Sequence, residues 1–110
     1  MYDYDEEEEM INLWEETIRV LGNYSIKWED VDAVILDGDC IITKENFEEV
    51  ARKTNYDNGY GCTKILSNLK IIGWNWWLER GEYDGSEWWE LKTMPTIPNI
   101  IKKVTSLTGE

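Results

Sequence analysis

The stretch from Trp76 to Thr93 constrains the fold more than any other part of this chain. Trp76–Tyr83 and Ser86–Thr93 alternate in character on either side of Asp84-Gly85, a dipeptide that favours the left-handed backbone of a type I′ hairpin turn. A two-residue loop there fixes the register, so Tyr83 faces Ser86, Arg80 faces Trp89, Glu79 faces Glu90 and Leu78 faces Leu91. Alternation then puts Trp76, Leu78, Arg80, Glu82, Glu87, Trp89 and Leu91 on one side. That side is apolar away from the turn and is the expected core face. Arg80 is placed to stack on Trp89 with its charged head near Glu82 and Glu87 at the wet end.

The other side carries Trp77, Glu79, Gly81, Tyr83, Ser86, Trp88, Glu90 and Lys92. Glu79 and Glu90 oppose each other, which is mildly unfavourable unless they are solvated, bridged by Lys92 or met by a basic partner. Trp and Tyr concentrate at interaction hot spots, so this is a candidate recognition face. The structural alternative has Trp88 covering the bare backbone at Gly81 and Trp77 packed under a helix. The same hairpin, Trp76-Trp77-Leu78-Glu79-Arg80-Gly81-Glu82-Tyr83-Asp84-Gly85-Ser86-Glu87-Trp88-Trp89-Glu90, resembles segments of small acidic bacteriophage proteins from Gram-positive hosts. The resemblance carries over no catalytic residues. It implies a short protein of the kind phages deploy against host nucleases, including anti-CRISPR and anti-restriction inhibitors that imitate nucleic acid.

Elsewhere, Met10, Ile11, Leu13, Trp14, Ile18 and Leu21 recur at helical spacing, predicting a helix over 6–21 that stops at Gly22-Asn23. Ala33–Leu36 and Cys40–Ile42 flank Asp37-Gly38-Asp39 as a short hairpin. Thr43 suits an N-cap for a second helix, whose apolar face is Phe47, Val50, Ala51 and Thr54. A turn follows over 55–61, then a short helix or turn over 63–68 and a strand over 69–72. Gly73-Trp74-Asn75 reads as a tight reversal, and 99–107 as a C-terminal helix entered near Pro98. The sum is an α+β fold with a mainly antiparallel sheet, the Trp-rich hairpin and two to three flanking helices, in one domain over 1–110.

Charge is distributed unevenly. Residues 1–50 carry sixteen Asp and Glu against three Lys and Arg, whereas residues 51–110 carry seven against eight. The net charge of −12 therefore belongs to the first half. A field of that sign attracts basic partners and repels nucleic acid and anionic membrane. Asp3, Asp5, Glu6, Glu7, Glu8 and Glu9 are the densest cluster, with Glu15, Glu16, Glu29, Asp30 and Asp32 as additional candidates if folding gathers them. The plainer reading of Glu6 to Glu9 is an acidic first turn that complements the helix dipole, worth about 0.3–1 kcal/mol per site before mutual repulsion.

Common active-site chemistry is poorly supplied. With no His and only Cys40 and Cys62, the usual nucleophile–base triads and a four-ligand zinc site are not available. Asp37 and Asp39 could share a divalent cation, but Asp-Gly-Asp arises routinely from turn preference. Glu79 and Glu90 lack the setting of a glycosidase pair, and Asn58-Gly59-Tyr60-Gly61 lacks the Lys and hydroxyl of a phosphate-binding loop, leaving Tyr56 and Tyr60 as interface candidates. The expectation is a cofactor-free, non-enzymatic, cytoplasmic protein with free thiols and no export signal or membrane span. Its acidic face, anchored by Trp77, Tyr83 and Trp88 with Glu79 and Glu90, would bind the basic groove of a nucleic-acid-binding host protein, a defence nuclease. Two alternatives stand beside it: an aromatic platform or cage for a cationic or sugar-like ligand, and a virion assembly protein.

Overall fold

The computed structural model describes residues 10–58 and 62–109. The chain forms an α+β fold built on a five-stranded antiparallel sheet of order β3-β2-β5-β6-β7, with a separate two-stranded pair, β1-β4. In chain order the elements are β1 (Met10–Asn12), α1 (Leu13–Asn23), β2 (Val31–Leu36), β3 (Cys40–Ile42), α2 (Lys44–Arg52), β4 (Asn55–Asp57), β5 (Leu69–Gly73), β6 (Trp76–Tyr83) and β7 (Ser86–Thr93). A 3₁₀ turn at Trp28–Asp30 precedes β2.

The first helix begins later than its periodicity suggests. Met10–Asn12 are extended and pair with β4, Met10 opposite Asp57 and Asn12 opposite Asn55. Asn12 decides the boundary, because a short amide caps a helix better than it continues one. Its Oδ1 accepts from the Glu15 backbone N–H at 3.0 Å, while its Nδ2 donates to the Arg52 carbonyl and to Asn55 Oδ1 at 3.0 Å each. The helix closes with the Ser25 N–H on the Gly22 carbonyl and the Ile26 N–H on the Leu21 carbonyl, a Schellman arrangement. The residue that takes the left-handed conformation is Ser25, at φ 61°.

The hairpins follow their turn residues. Asp37 and Gly38 both have positive φ, as do Asp84 and Gly85, which is the geometry type I′ turns require. The β2–β3 loop spans three residues between the Leu36–Cys40 pair, and the Asp37 carboxylate accepts from the Asn68 side-chain amide. The β6–β7 register matches the sequence expectation at every position, including Arg80 with Trp89 and Glu79 with Glu90. Gly73 pairs with Trp76, whose indole lies where a Cβ on Gly73 would project. Thr43 caps α2 by accepting from the Asn46 N–H at 3.0 Å.

Both helices cover one face of the sheet. Leu13 and Leu21 of α1 and Phe47 and Ala51 of α2 join Val34, Leu69, Ile71, Leu78 and Trp89 of the sheet in the core. Trp14, Trp28 and Phe47 extend it as an aromatic cluster, with ring centroids 5.0 Å apart for Trp14–Trp28 and 5.7 Å for Trp28–Phe47. No helix among the described residues covers the opposite face.

Two sequence expectations are corrected. Asn55–Asp57 are a strand rather than part of a turn, because pairing with β1 satisfies their backbone. Of the short helix or turn expected over 63–68, the chain takes the turn; Ile65 is buried there and the backbone N–H groups of Lys64 and Ile65 donate to the Glu87 carboxylate. No helix forms over 99–107, and Ile97, Ile100, Ile101 and Leu107 are almost fully exposed. A short helix with no surface to cover is marginal in water however regular its pattern. Cys40 and Cys62 are free thiols, and no helix among the described residues is long and apolar enough to cross a membrane.

Candidate interaction face

The two sides of the β6–β7 hairpin carry similar residue types in opposite circumstances. On the inner side, Arg80 is buried with its guanidinium over the Trp89 ring, 4.7 Å from the centroid. Its head does not reach toward Glu82 and the solvated end, as the sequence suggests. It turns inward to Glu87 at 3.0 Å and Glu16 at 3.4 Å, with Tyr56 Oη accepting from it at 3.1 Å. All three charged side chains are at most 3% exposed, so Glu87, expected at the wet end of the hairpin, belongs to the core.

The partners of Arg80 are further satisfied, whereas its own Nε is buried without a hydrogen-bond partner among the described residues. Glu87 accepts from the Lys64 and Ile65 N–H groups and its own N–H donates to Asn58 Oδ1 at 2.7 Å. Tyr56 Oη donates to Glu16 at 2.7 Å. Burial, with the Glu16 acceptor and charge adding to it against the opposing pull of Arg80, pushes the Tyr56 phenol well above the ordinary tyrosine value. Trp89 Nε1 donates to Thr17 Oγ1 at 2.9 Å, and that hydroxyl donates to the Leu13 carbonyl. Glu16 and Tyr56 are thus committed to the interior, and neither presents its polar group to a partner.

The outer side is open. Trp77 Nε1 donates to Glu79 at 2.8 Å and Trp88 Nε1 to Glu90 at 3.0 Å, so each indole is locked to the carboxylate two residues along its own strand. Lys92 Nζ lies 3.5 Å from Glu90 and 4.0 Å from Glu79, relieving the opposition of the two acids from within the chain. Lys70 on β5 stands in register with Glu79, and Ile72 with Trp77. A Cβ at Gly81 would come within 2.5 Å of Glu90 Oε2, so the glycine leaves room for that carboxylate beside Trp88. Trp77 and Trp88 are half-buried by these neighbours rather than by a helix. Tyr83 at one end is 75% exposed, and Trp74, in the turn at the other end, is 82% exposed.

Trp74 is a residue that turn-reading alone passes over. The signal was available: a Trp in a two-residue reversal has no core to enter. Of the acidic candidates, Glu15, Glu29, Asp30 and Asp32 are exposed, although Asp30 also accepts from the Lys27 N–H as a cap. Asp32 sits at the irregularity where β2 shifts register between Val31 and Ala33. Asp3, Asp5, Glu6, Glu7, Glu8 and Glu9 lie outside the described residues, as does Tyr60. No cluster of three or more His, Cys, Asp or Glu positioned for a metal ion occurs among the described residues. Comparison with family models, characterised proteins and solved structures finds no match.

Proposed function

We propose that this chain is a non-enzymatic inhibitor that binds a basic, nucleic-acid-handling protein through its acidic charge and its outer aromatic face. The observation that carries this reading is the outer side of the hairpin, covered by no helix among the described residues, where Trp77 and Trp88 stand beside Glu79 and Glu90. A guanidinium or ammonium placed over either indole meets a π face and a carboxylate together, which is a strong combination for Arg and Lys side chains. Trp74 and Tyr83 extend the aromatic line to both ends of β6. The net charge of −12 supplies the longer-range attraction. Basic grooves built for the regular charge of DNA accept carboxylates presented over a comparable surface.

The resemblance of the hairpin to small phage proteins gives the partner class: a host defence nuclease of the anti-CRISPR or anti-restriction setting. A small-ligand cage is the weaker reading, because the grooves beside α2 and beside Trp14 are lined by other residues and include neither Trp77 nor Trp88. The test is affinity capture from a bacterial lysate with the tagged chain at low and high salt, identifying partners by mass spectrometry. The expected result is a nucleic-acid-binding enzyme released at high salt and displaced by DNA or RNA, since exposed charge attraction is screened. A partner retained at high salt and indifferent to nucleic acid would refute the mimicry.

A further inference from the structure

β7 is the last strand in the order β3-β2-β5-β6-β7. An edge strand turns the backbone N–H and C=O of every second residue away from its sheet, a template for another strand. The Glu87 N–H shows which residues these are, because it points away from β6 and donates to Asn58 Oδ1 at 2.7 Å. Alternation turns the backbone groups of Trp89, Leu91 and Thr93 the same way, whereas the Met94 N–H points back to the Asn75 carbonyl at 3.1 Å. The outward groups of Trp89, Leu91 and Thr93 have no hydrogen-bond partner among the described residues.

This open edge is bounded on both sides. Asn58 occupies it at Glu87, and Pro95 has no N–H to give. Between them lie residues 88–94, with Leu91 at the centre. A second β7 laid antiparallel uses the whole window in one register, with Leu91 opposite Leu91 and Trp89 opposite Thr93. The neighbouring registers lose a pair to Asn58 or to Pro95, and they set Glu90 against Glu90 or Lys92 against Lys92.

The side chains select the same register. On the outer face it sets Glu90 of each copy opposite Lys92 of the other, and Trp88 opposite Met94, pairings of opposite charge and of sulfur with an aromatic ring. Lys92 and Glu90 are 45% and 37% exposed in their side chains, so both can reach across. On the inner face Leu91, half-buried at the margin of the core, meets its own counterpart. We propose that two copies of this chain pair antiparallel through β7, about a two-fold axis at Leu91, so that one sheet runs through both. The contact is isologous and closes on itself, and it is a strand addition. It sets two outer faces side by side and does not depend on which partner that face binds.

The test is sedimentation equilibrium of the full chain over micromolar to near-millimolar concentration, with melting followed on the same samples. Copies of net charge −12 repel at long range, so the measurement is made at about 0.15 M salt, where the Debye length is about 8 Å. Association to twice 13.0 kDa is expected. Lys92→Glu and Glu90→Lys each set like charges opposite at both pairs and should weaken association by about tenfold or more. Mixing the two variants should restore it, because the copy with two Glu meets the copy with two Lys. Thr93→Pro removes an N–H that the hairpin does not use, so the fold is kept, and association should fall by about tenfold or more as well. A chain that stays at 13.0 kDa throughout, a dimer indifferent to Thr93→Pro, or charge variants that melt cooperatively yet fail to associate when mixed would each overturn the proposal.

Discussion

The two faces of one hairpin show what burial does to the same chemistry. Inside, Arg80, Trp89, Glu87 and Glu16 form a network of buried charges whose geometry is set from several elements at once. Outside, Trp77, Trp88, Glu79, Glu90 and Lys92 make comparable pairings that close within the hairpin itself, at a third or more exposure of the charged groups. Burial makes the inner set costly to break, because a charge left unpaired there has no water to take its partner's place. Exposure makes the outer set cheap to break and free to exchange partners. Stability and recognition are thus divided between opposite sides of the same two strands.

The sharpest way to break that comparison is Arg80→Met. It leaves Glu16 and Glu87 buried without their cation, and a loss of about 3–5 kcal/mol is expected in urea unfolding. Trp88→Ala, on the other side, should lose about 1 kcal/mol, as fits a half-buried side chain. Equal losses for the two would erase the distinction.

The next effect is on pH dependence. The folded-state Tyr56 phenol titrates above its unfolded value, so the protein holds that proton more tightly when folded. The associated stability is complete below the ordinary tyrosine value of about 10 and is lost as pH rises past it toward the folded value. A steeper fall of stability above pH about 10 is expected in the parent than in Tyr56→Phe, which has no phenol to titrate. Identical alkaline profiles would show that the phenol is not held by Glu16 and burial.

Gly81→Ala sharpens the outer side. The new methyl would displace Glu90 from Trp88, whereas strand propensity favours Ala over Gly by about 0.5–1 kcal/mol. Thermal stability should therefore stay within about 1 kcal/mol while partner capture falls. The smallest change expected is Ser25→Gly, which relieves a left-handed serine at the end of α1 and should raise stability by about 1 kcal/mol. It is a control that touches neither face.

What could be read from the sequence follows from range. The hairpin register was legible because Asp84-Gly85 sets it locally, and the sorting of Leu78 and Trp89 from Trp77 and Trp88 follows directly. The Thr43 cap and the Phe47–Ala51 face of α2 are local in the same sense. The start of α1 depends on pairing with Asn55–Asp57, more than forty residues away, and hydrophobic spacing does not contain that information. Glu16 and Arg80 meet across 64 residues, so an acid counted with the exposed cluster proves to be an interior ion. The C-terminal stripe is a true periodicity without a helix, because pattern predicts the face and only a partner surface stabilises it. Trp74 was legible by a different local rule, since a Trp in a two-residue reversal has no core to enter.

The central claim is that the outer face binds and the inner face holds the fold. The most direct measurement compares the double variant Trp77→Ala/Trp88→Ala with the parent in salt-dependent partner capture, with melting followed on the same samples. The account predicts a cooperative melt with modest loss of stability and at least a tenfold fall in captured partner. Full capture by a well-folded double variant would contradict it.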